Sequence, residues 1–325
     1  MSGPAVGATL APTAGPRASR RRRSVRRLSR WDRAILVVIV GIPLLASLVF
    51  VWFPAVSSVL LSFTKWDGLG GLSAIKLYGV ENYRFAGTID PSFWPAVENN
   101  LIWLGVFACF ATPLGMLFAV LIDRGLKGSR IYQSILFLPV MLSLALIGII
   151  WELIYSQNYG LINTFIGNTG NNAIDWIGNP NLNLWAILVE ASWRQAGYVM
   201  VLYLAGLKAF DPALREAAQI DGANAWQTFW RVVFPVMKPI NVVIIVITVI
   251  ESLRAYDLVY ITTRGNGLPG LELLSMLVTQ NILGQTQRIG YGSAVASVLL
   301  VISLVPISVF LYNTFRGEHR AEARR

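Results

Sequence analysis

The sequence predicts an all-α integral membrane protein: six transmembrane helices with a polar, helical insert on the cytoplasmic side. Three observations carry this. Hydrophobic residues make up 55% of the 325-residue chain and charged residues 14%, with a mean hydropathy of +0.57. A soluble domain carries about 25% charged residues, and one this apolar would expose large sticky patches. Six apolar runs are each long enough to cross a hydrocarbon core of about 30 Å, which takes roughly 20 helical residues. Lys and Arg are sorted between alternate connecting segments, 20 of the 27 falling on one side.

Residues 1–30 are rich in Pro, Gly, Ala, Ser and Arg and lack apolar periodicity. They read as a disordered basic cytoplasmic tail. The run at about 34–62 is too long for a signal peptide and ends in no clear cleavage site. It reads as a first span, kinked near Pro43 or Pro54. Five more runs follow at about 99–122, 132–155, 183–207, 239–262 and 291–315. Residues 31–316 then form one six-helix membrane domain, and 317–325 a short cytoplasmic tail. Pro113, Pro139, Gly148 and Gly197 fall inside runs, which membrane helices tolerate because neighbours re-satisfy the freed backbone groups.

The net charge of +10 is a matter of topology. Nine arginines lie between Arg17 and Arg33, and most other cations cluster between particular spans. That is not the pattern of a groove for phosphates, and no nucleic-acid partner is expected. With the N-terminus inside, the outer segments hold only Lys65, Lys76, Arg84, Arg264 and Arg288, and the loop 156–182 holds none. The excess of inside cations places both termini and residues 208–238 in the cytoplasm. Trp66, Tyr78, Trp94, Tyr159 and Trp176 in the outer loops suit the membrane interface.

Several chemistries are excluded. Cys109 is the only cysteine and His319, in the polar tail, the only histidine, so an intrachain disulfide and a Cys- or His-rich metal site are ruled out, and a His-based triad would have no histidine in reserve. No G-x-x-x-x-G-K-[ST], H-E-x-x-H or G-x-S-x-G sequence occurs. The chain has no P-loop nucleotide site and no hydrolase signature. Any ATP energy must come from elsewhere.

The insert DPALREAAQIDGANAWQTFWRVVFPVMKP, residues 211–239, carries the most information. Asp211-Pro212 is a helix start, since Asp caps free N–H groups and Pro suits the first helical position. A short helix over 212–220 is interrupted at Asp221-Gly222. A second runs from Ala223 to Val233, with Trp226, Phe229 and Trp230 available to anchor it on the span ends, before Pro235 and Pro239. Ala217, Ala218, Gly222 and Ala223 keep the surface slim enough for a cleft on a partner. An amphipathic helix lying on the bilayer is the alternative on residue chemistry alone.

Glu216, Ala217, Ala218, Asp221, Gly222, Ala223, Phe229, Pro235 and Pro239 together resemble the conserved loop of importer permeases of the ATP-binding-cassette superfamily. Leu253-Arg254-Ala255-Tyr256-Asp257-Leu258-Val259-Tyr260, Phe137-Leu138-Pro139 and Gly160-Leu161-Ile162-Asn163 resemble its carbohydrate-uptake branch of maltose, trehalose and glycerol-phosphate type. The resemblance spans most of the chain, except the tail 1–30 and the large outer domain of some maltose-type permeases. It implies a permease subunit in the bacterial cytoplasmic (inner) membrane, paired with a second homologous permease. An ATPase dimer would bind ATP and Mg, and an extracytoplasmic binding protein would deliver a sugar or sugar-like solute. The loop would be the coupling helix docked in the ATPase, so this chain needs no cofactor of its own.

Polar residues in apolar runs mark the remaining candidates. Charges in a bilayer cost a few kcal/mol each and face protein, water or one another. Glu190 and Arg194 are four apart, and Glu251, Arg254 and Asp257 lie at steps of three, so each spacing permits a pair on one helix face. With Trp193, Tyr198 and Tyr256 they form a candidate substrate path, sugars needing hydrogen-bonding groups beside aromatic faces. Internal pairing that holds helices together is the competing role. Glu152 or Asp257 would instead carry the coupling ion of a secondary transporter, the alternative function class.

Overall fold

Backbone polar groups in a bilayer must be satisfied within the chain, and the computed structural model is helical almost throughout. It describes residues 29–125, 127–284 and 287–322, with side chains as far as Tyr312. The basic tail therefore lies outside the described residues but for its last two positions, as do residues 323–325. Residues to Pro54 form one unit and residues from Ala55 a second. In the first, a capping box between Ser29 and Asp32 starts a helix at Arg30, four residues before the apolar run. The helix continues to Leu61.

Among the described residues, three helices are by themselves long and apolar enough to cross a membrane: Arg30–Leu61, Phe93–Asp123 and Ile289–Tyr312. Two bent pairs, Ser129–Met141 with Leu144–Tyr155 and Ala225–Val236 with Lys238–Leu253, raise the number to five if each is one span. The run at 132–155 is thus broken rather than continuous. Leu142 and Ser143 are extended, Ser143 Oγ accepts the Leu146 N–H, and the chain turns by 102°. The run at 239–262 is also broken, at Arg254-Ala255, before a short helix Tyr256–Thr262. The last helix extends to Glu322, so no element ends at 316.

Asn183–Ala209 has the length of a span but not the composition, for a structural reason. It is the central helix of the second unit: 17 of its 27 residues are buried, Asn183, Glu190, Ser192 and Gln195 among them. A helix surrounded by protein need not be apolar enough to meet lipid. Small residues bring its neighbours close. A Cβ on Gly115 would sit 2.5 Å from the Ala196 carbonyl oxygen, one on Gly197 2.4 Å from that of Leu136, and one on Gly206 2.9 Å from Met237 Cε. The first two are backbone-level approaches of the small-residue kind, and the third is a close side-chain contact.

Three π-helical segments share one cause. They occupy Leu48–Trp52, Phe107–Ala111 and Phe229–Val233. Each is followed by a residue and then a proline: Phe53-Pro54, Thr112-Pro113 and Phe234-Pro235. Proline lacks an N–H and its ring clashes with the carbonyl four residues back. The last N–H before each proline instead donates five residues back, to Leu48, Phe107 and Phe229. The wider turn absorbs the proline without breaking the rod.

Asparagines fix the loop after Tyr256–Thr262. Asn99 Nδ2 donates to the Gly270 and Glu272 carbonyls at 3.1 and 2.9 Å. Asn100 Oδ1 accepts the Leu274 N–H at 2.9 Å, and Asn183 Nδ2 donates to the Pro269 carbonyl at 2.9 Å. Outside helices, the described regular structure is a two-residue pairing of Thr64–Lys65 with Lys76–Leu77. Gly115→Leu is expected to lower the melting temperature of the detergent-purified protein, overpacking costing about 1–3 kcal/mol or more. Gly105→Leu, where a Cβ meets nothing, should leave it unchanged. Equal melting of the two variants would dissociate stability from this helix contact.

Candidate functional site

The insert is built by local rules. Asp211 Oδ1 accepts the Ala213 N–H at 2.9 Å and Pro212 occupies the first turn, so a helix runs Pro212–Ile220. It ends in a Schellman motif: the Ala223 N–H donates to the Ala218 carbonyl and the Gly222 N–H to that of Gln219, both at 3.0 Å. The motif needs a left-handed residue, and Gly222 supplies it at φ +81°. Asn224 and Gln227 then form a reciprocal capping box, at 3.0 and 2.8 Å, that restarts the helix. The second helix is Ala225–Val236, two residues later at its start and three at its end than the sequence expectation of 223–233.

One face of the insert is held and the other is free. Ala218 is buried, Ala223 and Phe229 are half-buried, and Phe229 packs with Val233, Met237 and Leu207 in one apolar cluster. Glu216, Ala217, Asp221, Gly222 and Pro235 are exposed. So are three large apolar side chains, Leu214, Ile220 (85%) and Trp226 (70%). Phe229 is an anchor as expected. Trp226 is not: it stands clear, its ring edge-on to Trp230 with centroids 5.6 Å apart.

The polar residues of the spans divide into two groups. Glu190 is fully buried, with Oε2 accepting the Thr262 hydroxyl at 3.4 Å and Oε1 unpartnered among the described residues. Both amide atoms of Gln195, the Ser192 hydroxyl and the Trp151 indole N–H are likewise buried without partners. Arg194 does not pair with Glu190. It reaches Glu251 on the neighbouring helix, Nη1 to Oε2 at 3.1 Å. Glu152 is bonded by Arg264. Trp193 meets Trp151 edge-on at 5.8 Å, and Tyr198 is half-buried.

The second group surrounds the break at Arg254-Ala255. Arg254, Tyr256 and Asp257 line an open cleft of about 500 Å³ with Ser275, Thr279 and Ser303. Tyr256 and Thr279 also line a neighbouring cleft of about 350 Å³ with Tyr260, Gln280 and Met276. The rings of Tyr256 and Tyr260 stack, 5.3 Å apart and 27° from parallel. Two tyrosine faces, a guanidinium, a carboxylate, hydroxyls and an amide thus share one surface. Ser275, Thr279 and Gln280 had no signal in the sequence. They look like ordinary polar positions of an amphipathic helix until the loop 263–274 folds them beside Tyr256.

Residues 111–316 match the family of binding-protein-dependent transport system inner membrane components. The chain belongs to that family. The match takes in the insert and both groups of polar residues of this inner membrane component. Relatives extend over more of it. A xylose/arabinose import permease protein of Haloferax volcanii is 30% identical, covering 85% of the chain and 86% of that protein. An arabinooligosaccharides transport system permease protein of Bacillus subtilis is 31% identical, over 84% and 87% respectively. A probable ABC transporter permease protein of Pyrococcus horikoshii is 29% identical, over 84% and 92%. Among solved structures, a bacterial ABC transporter involved in alginate import has the same fold at 20% identity, with a TM-score of 0.70 over 88% of this chain and 96% of that one.

In this inner membrane component, Gly222 matters for its backbone, because a Cβ there would meet nothing. Gly222→Ala should cost about 1–2 kcal/mol of the left-handed conformation. Amide hydrogen exchange over 212–223 in the purified protein is expected to quicken by roughly 5–30-fold, the factor such a difference represents. Unchanged protection would show that the motif does not hold the insert.

Proposed function

We propose that the chain is one of two permease subunits of an ATP-driven importer, that residues 208–238 couple it to ATPase subunits, and that its cargo is a sugar or sugar-like solute. The observation that carries the coupling role is the insert's free face. Large exposed apolar patches on a soluble surface mark interaction sites, and Leu214, Ile220 and Trp226 flank Glu216, Asp221 and the slim Ala217. The absence of a P-loop in the sequence makes such a surface necessary, since ATP and Mg must be held by the partner.

In this reading six spans cross the inner membrane, the sixth being the central helix Asn183–Ala209. Both termini and the insert lie in the cytoplasm, and an external binding protein delivers the cargo to the opposite face. ATP binding shifts the balance between inward- and outward-open states, by as much as the partner binds one state better than the other.

The sugar reading rests on the clefts at Tyr256. Broken helices with free backbone ends are common at membrane transport sites, and the break at Arg254-Ala255 lies beside stacked rings and hydroxyls. Relatives named for xylose/arabinose and arabinooligosaccharides agree with it, and one named for sulfoquinovosyl glycerol, a sulfonated sugar, extends the class to charged sugars. Arg194 is engaged by Glu251, so the cation available to a phosphate of a glycerophosphodiester is Arg254, in the cleft itself. The unpartnered atoms of Glu190, Ser192 and Gln195 belong to a seam that changes partners between the two states. Unmet buried groups cost about 1–3 kcal/mol each, and a bistable core is where such a cost can alternate.

Two variants test the halves separately, in the complete complex reconstituted into proteoliposomes. Glu216→Lys is expected to reach the membrane but to lose cargo-stimulated ATP hydrolysis; normal stimulation would contradict a coupling insert. Tyr256→Ala is expected to keep ATPase docking and to raise the KM for uptake about tenfold, the effect of roughly 1.4 kcal/mol of lost binding. An unchanged KM would remove the cleft from the path.

A further inference from the structure

Asp123 is placed where an acidic residue is least welcome. It is the last residue of the helix Thr112–Asp123, and the negative end of the helix dipole disfavours a carboxylate there. Its side chain is only 9% exposed, so water does little to screen it. Two cations from two other elements compensate. Lys208 Nζ, in the last turn of Asn183–Ala209, lies 3.0 Å from Oδ1. Arg215 Nη1 and Nη2, on the insert helix Pro212–Ile220, donate to Oδ2 at 3.1 and 3.2 Å. The Arg215 guanidinium also sits 5.7 Å from the Phe210 ring centroid.

The geometry points to Asp123 as a positioning residue that rivets the insert to two transmembrane helices, so that a displacement of the insert moves the ends of those helices with it. This rests on the coupling role proposed above. Only Phe210 and Asp211, both extended, join Ala209 to Pro212. Phe210 is buried in the apolar cluster that also holds Leu207 and the insert's Phe229 and Val233, so the insert is tied to Asn183–Ala209 by chain and packing. The insert's charge contact with Phe93–Asp123 is the Asp123–Arg215 bond, in which both terminal guanidinium nitrogens converge on Oδ2, a charge-assisted contact stronger than a neutral hydrogen bond. Lys208 holds the third corner. Without the carboxylate, Lys208 and Arg215 become like charges at one partly buried point, and the junction opens.

The test uses the complete complex in proteoliposomes, measuring cargo uptake and ATP hydrolysis together. The wild-type complex must first show cargo-stimulated hydrolysis; if it does not, the coupling reading fails before this one is reached. Asp123→Asn is expected to retain ATPase subunits and basal hydrolysis but to lose about tenfold in cargo taken up per ATP hydrolysed, within the usual range of coupling between sites. Asp123→Glu, which keeps the charge, should restore most of it. Arg215→Gln removes the same bond from the insert side without the buried carboxylate's folding burden, and should repeat the loss. Lys208→Ala, which leaves that bond in place, should lose less. Wild-type uptake per ATP in both Asp123→Asn and Arg215→Gln overturns the proposal, as does equal loss in Asp123→Asn and Asp123→Glu.

Discussion

Close backbone approach along the buried helix Asn183–Ala209 is the constraint on which the second unit depends. Gly115, Gly197 and Gly206 leave no room for a Cβ against its neighbours. In lipid there is little hydrophobic gain from bringing helices together, so contact area and dispersion must supply the attraction. Short approach distances are what make that area large. The apolar clusters along the helix, around Ile187 and Leu188 at one end and Met200 and Leu204 at the other, follow from it. So does the freedom of this helix to carry Glu190, Arg194 and Gln195, which no lipid-facing span would tolerate.

That scaffold lets the other helices be imperfect. Three prolines are absorbed by π segments, and two apolar runs are broken by extended or non-helical residues. The segments Phe107–Ala111 and Phe229–Val233 lie against neighbouring protein, whereas Leu48–Trp52 is exposed. The interruption at Arg254-Ala255 exposes Tyr256 and Asp257 beside Thr279 and Gln280. A continuous helix would have spread these residues around a cylinder. The loop 263–274 closes the arrangement because Asn99, Asn100 and Asn183 bind its backbone.

Charge is used in two ways. On the surface it sorts segments to the two sides of the membrane. Within the fold it ties separate elements together: Arg194 to Glu251, Arg264 to Glu152, and Lys208 and Arg215 to Asp123. None of these pairs lies on one helix at a spacing of three or four, although the sequence offers several such spacings. Partly buried ions take the partner that also relieves their desolvation, and here that partner comes from a neighbouring element.

The sequence by itself determined the membrane class, most span positions and the start and break of the insert. Asp211-Pro212 and Asp221-Gly222 are read locally, because caps and turns are satisfied within a few residues; the Asn224–Gln227 capping box, which moves the second helix start from Ala223 to Ala225, comes from the structure. Glu216, Ala217 and Asp221 are named by the resemblance to the importer-permease loop, and in the structure they are exposed. What only the tertiary structure decided is which distant residues meet. The cross-helix partners of Arg194 and Arg215, the solitary burial of Glu190, and the meeting of Tyr256 with Thr279 and Gln280 all depend on packing between helices far apart in the chain. The helix at 183–207 is legible in the sequence, but its central, protein-enclosed place is not, because the neighbours that tolerate its polar residues meet it only once the bundle has formed.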